Sequence, residues 1–140
     1  RILDVKYWVL LPTHSSVGSS LDNYQWGSIL RSVSALRSYA WEYDADLRAT
    51  DIIDFLMLNR RMPRSLAYSY RCINDSLDYL AKAYGREHPC HDTARRIAER
   101  LDQQTVTEIL EGGLHEFLET LIKDNNRLSN EIAASYSFYN

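Results

Sequence analysis

Cysteine, proline and glycine are all scarce in this chain: 2 Cys, 3 Pro and 5 Gly among 140 residues. Two cysteines make no disulfide framework, and Cys72 and Cys90 fit a reducing compartment where thiols stay free. So few turn-formers argue against a loop-rich all-β domain. No apolar run approaches the roughly 20 residues of a membrane span, and no signal peptide is visible. A basic excess is also missing. The formal net charge is −3, which argues against a nucleic-acid binder. We expect no membrane or nucleic-acid partner, a cytoplasmic location, and no cofactor: Gly-rich phosphate loops, nucleophile elbows and H-E-x-x-H pairs are all lacking.

What is present is ordinary globular usage, 45 % hydrophobic and 25 % charged, with an unusual 10 Tyr. Apolar residues recur at helical spacing along most of the chain, and an all-α fold follows. We expect an antiparallel helical bundle of about four long and two short helices, forming one domain over 1–140. The segment 2–11 is dense in apolar residues and is taken as the end of a helix closed by Pro12. Residues 13–21 are taken as a flexible loop. The chain opens at Arg1 inside an apolar pattern, so we take it as a piece of a longer protein, and a seam left uncovered in this way allows a homo-oligomer.

Asp22 or Asn23 is expected to cap a helix whose face runs Trp26, Ile29, Leu30, Val33, Leu36, Ala40, Tyr43. Thr50 is expected to cap a short helix over 51–59, apolar nearly all round. Pro63 suits the first turn of the next helix, which carries Leu66, Tyr70, Ile73, Leu77, Leu80 and Tyr84 and stops at Gly85. Its outer face offers the pairs Arg71/Asp75 and Asp78/Lys82. Pro89 opens another helix through Ala94, Ile97, Ala98 and Leu101. Thr105 and Glu108 stand at capping-box spacing for a short helix. Gly112-Gly113 breaks the chain before a long helix with Leu114, Leu118, Leu121, Leu128, Ile132 and Tyr136. Asn125 falls on that stripe and needs a partner or an exit from the core.

Several stretches resemble the alpha-E domain, a bacterial family. They are Arg1 to Val5, Trp26 to Leu30 with Ser32 and Tyr39, Phe55-Leu56-Met57-Leu58-Asn59 followed by Pro63-Arg64-Ser65, Gly113 to Leu118, and Glu131-Ile132 to Tyr136. In order they cover nearly the whole chain. The family's Glu-Arg motif falls upstream of the stretch matching Arg1 to Val5, outside these residues. The resemblance implies a setting beside a circularly permuted ATP-grasp protein, often with transglutaminase-like neighbours, in ATP-dependent amide or peptide ligation. It therefore implies an ATP-grasp-type ligase as the protein partner.

Candidate site residues follow from residue chemistry. Arg60, Arg61, Arg64 and Ser65 cluster where a helix is expected to start, with Arg71 one to two turns on. Free amides and guanidinium groups there favour an anion, whether phosphate, carboxylate or an acidic partner loop. A structural tie between helices would use the same residues. His115 and Glu116 follow the glycine pair and suggest a cleft if a second titratable group lies close; otherwise His115 is a hydrogen-bonded lock on the kink. His88, Cys90 and His91 suit zinc by type but not by spacing, so no metal site is expected. Cys72 is expected to pack as a small hydrophobe. Among the aromatics Trp8, Tyr24, Trp26, Tyr39, Trp41 and Tyr43, Trp41 steps off the helical stripe and is expected at the surface, a partner-binding patch if so.

Overall fold

The computed structural model describes residues 20–43 and 46–137; the expected helix over 2–11, residues 13–19 of the expected loop and Trp8 lie outside them, while residues 20 and 21 of that loop are helical. Seven α-helices and one π-helical turn, and no strand, are found among the described residues: α1 Ser20–Ser32, α2 Leu36–Glu42, α3 Ala49–Ile53 continuing into the π turn Asp54–Leu58, α4 Leu66–Tyr84, α5 Pro89–Gln103, α6 Val106–Glu111 and α7 Leu114–Tyr136.

The α4–α5–α7 half is an antiparallel bundle. A short turn joins α4 to α5, and Leu77 faces His91 across it. His88 meets Tyr136 and Arg100 meets Phe117, so α7 descends as α5 rises. Tyr70, Leu77, Ala94, Ile97, Leu101, Leu121 and Leu128 fill the space between. Each such buried leucine contributes about 1.5–3 kcal/mol. The expected stripe ends early on α4, because Tyr84 is exposed. Asn125 has the partner it needed: the buried Tyr70 hydroxyl donates to its Oδ1 at 2.9 Å. Gly85 stops α4 in the left-handed region at φ 66°, and Thr105 and Glu108 form the expected capping box.

A second apolar cluster joins α1–α3 and the π turn to α6 and the start of α7, through Trp26, Leu30, Tyr39, Ile52, Met57, Ile109 and Leu118. The short apolar helix expected over 51–59 is here, begun at Ala49 with Arg48 rather than Thr50 at the cap. Asn59 N–H donates to Asp54 O at 2.9 Å, a five-residue step that widens the turn. That turn keeps Phe55, Leu56 and Met57 all buried.

Three further sequence expectations are corrected. The helix expected to run unbroken to Tyr43 divides at Ser34, which has φ 52°. Its spacing survives the break because Ile29, Leu30, Ala35 and Tyr39 still bury, while Ala40 turns out to solvent. Asp22 and Asn23 lie inside α1, which starts at Ser20. Pro63 stands before α4 rather than in its first turn; the cap is Ser65, whose Oγ accepts from Tyr68 N–H at 3.1 Å.

Candidate functional site

The loop from 59 to 65 follows from local chemistry. Asn59 Oδ1 accepts from the N–H groups of Arg61 and Met62, both at 2.9 Å, which folds the chain back toward α4. Ser65 is fully buried. Its hydroxyl donates to Asn59 O while accepting from Tyr68, so both ends of the loop close on one side chain.

The arginines tie this loop outward. Arg60 pairs with Asp102 of α5 at 3.1 Å and donates to its carbonyl at 3.0 Å. Arg61 pairs with Glu42 at the end of α2. Arg64 donates to Val33 O at the α1–α2 corner. Arg71 donates to Arg60 O at 3.0 Å and not to Asp75; the other expected outer pair is likewise replaced, Asp78 facing Arg95 of α5 at 3.8 Å. Arg60, Arg61, Arg64 and Arg71 are all exposed. Arg64 reaches Val33 through one of its five N–H donors, leaving outward donors for an anion.

At the other candidate, Gly113 caps α7 with φ 92°, a conformation L side chains rarely adopt. Glu116 lies against it: a Cβ at Gly113 would fall 2.0 Å from Glu116 Oε2. The kink is therefore covered by Glu116. His115 is half-buried, its Nε2 3.9 Å from Glu119 Oε1. Glu116 borders a groove of about 290 Å3 with Arg100, Gln104, Glu108 and Phe117. A neighbouring groove of about 380 Å3 shares Arg100, Gln104 and Glu108. Arg64 borders neither.

The His-Pro-Cys-His segment is a helix start. His88 N–H donates to His91 Nδ1 at 2.9 Å, which leaves the ring proton on Nε2, donating to Leu77 O at 3.1 Å. Cys90 and His91 are buried. Among the described residues no group of three His, Cys, Asp or Glu could hold a metal ion. Cys72 is exposed, contrary to expectation: its position one residue before Ile73 turns it off the buried stripe. Trp41 is 81 % exposed and Tyr24 68 %, while Trp26 and Tyr39 are core residues.

Sequence reasoning missed Asp124, which receives Arg100 at 3.2 Å and Arg96 at 3.8 Å. The i,i+4 spacing of those arginines on α5 was the available signal. It also missed the bond that the Tyr43 hydroxyl donates to Asp54 Oδ2. Burial, then that bond, pushes the Tyr43 phenol up to about 12.

The alpha-E family model, described as a predicted alpha-helical domain with a conserved ER motif, matches residues 1–137. No curated protein and no solved structure matches the chain. The one Glu-Arg dipeptide of the chain, Glu99-Arg100, lies on α5. No helix among the described residues is long and apolar enough to cross a membrane.

Proposed function

The chain belongs to the alpha-E family, and from that premise we propose that it is a non-catalytic binding domain of a cytoplasmic ATP-grasp-type amide or peptide ligase system. It docks the ligase or holds its product. The observation that carries the reading is Trp41, 81 % exposed on α2, with the exposed Arg37 one turn earlier on the same side of the helix. Trp and Arg are the side chains that most often anchor protein interfaces. Arg64, with its outward donors, is the group that recognises an anion of the partner. An independent enzyme with a cleft near Arg64 and His115 is the alternative. It is disfavoured by the grooves beside Glu116, whose linings do not include Arg64.

The test is affinity capture of the intact natural protein from its native lysate, repeated with Trp41→Ala and Arg64→Ala. The reading expects an ATP-grasp ligase, identified by mass spectrometry, that both variants lose while keeping a helical circular-dichroism spectrum. Capture of the same ligase by both variants removes these residues from the contact. A folded parent that captures no ligase favours the independent enzyme.

A further inference from the structure

The two grooves that share Arg100, Gln104 and Glu108 form one trough across the end of α5, α6 and the start of α7. Along α5 it runs from Arg96 to Gln104. Eight helical rises of about 1.5 Å make about 12 Å, the length of about four residues of extended chain. Its floor is closed by Ile109, which is buried, and by Phe117, which lies beneath the Arg100 guanidinium at 5.0 Å.

The charges of the trough are not balanced. Its two cations, Arg96 and Arg100, are both held by Asp124. Of its three carboxylates, Glu108 is engaged by Thr105 N–H at 2.8 Å. Glu99 and Glu116 are exposed and make no ion pair among the described residues. Gln104 is half-buried between the two grooves. Its side-chain amide makes no hydrogen bond among the described residues, and it offers both a donor and an acceptor to a peptide backbone.

We propose that this trough takes an extended basic peptide segment of a partner protein. Gln104 meets its backbone, and Glu99 and Glu116 meet its Lys or Arg side chains. The inference does not depend on the ligase reading, since the surface and the assay are both different.

The experiment is fluorescence anisotropy of the chain with a labelled Gly-Lys-Leu-Lys-Gly peptide and its Glu-for-Lys counterpart. The Lys peptide is expected to bind and the Glu peptide not. The double variant Glu99→Gln/Glu116→Gln should weaken binding about fivefold, from two partly screened charge pairs. Gln104→Ala should weaken it without changing its salt dependence. Asp75→Asn, on the exposed face of α4, should leave it unchanged. The proposal is overturned if the Lys peptide does not bind, if both peptides bind alike, if the double variant binds as tightly as the parent, or if Asp75→Asn costs as much.

Discussion

Ser65→Ala separates structure from recognition at the arginine loop. Ser65 is fully buried and makes two bonds, one to each end of the loop it closes. Losing a serine cap costs about 1 kcal/mol. Leaving the Asn59 carbonyl without its donor adds about 1 kcal/mol more. For a chain of this size, the resulting ~2 kcal/mol lowers the melting temperature by about 6 °C. Arg64→Ala removes one exposed bond to Val33 O and should cost about 0.5–1 kcal/mol. Thermal melts and urea titrations followed by circular dichroism read both. A Ser65→Ala melt within about 1 °C of the parent, below the roughly 1.5 °C that the smallest cap loss alone allows, would refute the claim that its hydroxyl closes the loop. If the cap reasoning holds, any loss of partner binding in Ser65→Ala should follow its fraction unfolded. Loss in Arg64→Ala should appear with the protein still folded.

Gly113→Ala should destabilise by about 1–3 kcal/mol through its φ of 92°, read by urea unfolding; full rescue by a second substitution, Glu116→Ala, would assign the cost to the side-chain clash instead. His91→Ala removes a buried ring, leaves a cavity beside Leu77 and takes away the acceptor of His88 N–H, which should cost about 2–4 kcal/mol; hydrogen exchange should quicken first at the start of α5, and uniform quickening would contradict a local role. Tyr43 keeps its proton when folded up to about 12, whereas an unfolded tyrosine releases it near pH 10. Its contribution to stability is therefore intact below pH 10 and is lost as pH rises from there through 12. Tyr43→Phe should show a shallower alkaline loss in urea titrations, and an equal loss would sink the assignment.

The ends of α4, α6 and α7 were legible because a single residue type decides each one. Gly85 and Gly113 supply positive φ, and the Thr105/Glu108 box satisfies its own amides. The break at Ser34 was not legible. Apolar residues on both sides keep helical spacing, because both short helices turn the same side to the same core. Periodicity reports which side is buried and is blind to a corner that preserves it. The start of α4 misled for a related reason. Pro63 and Ser65 are both acceptable near a helix start, and what chose between them was the Asn59 carbonyl, which only the folded loop brings to Ser65. The same distance limit governs the candidate sites. Arg60, Arg61, Arg64 and Arg71 were visible as a local cluster, yet Asp102, Glu42 and Val33, which hold the first three, are 42, 19 and 31 residues away in sequence. The α5–α7 trough is assembled from three helices, and its isolated residues carry no motif. A chain whose chemistry lies in such convergence, not in spacing, reveals its helices to a reader of sequence and keeps its surfaces for the fold.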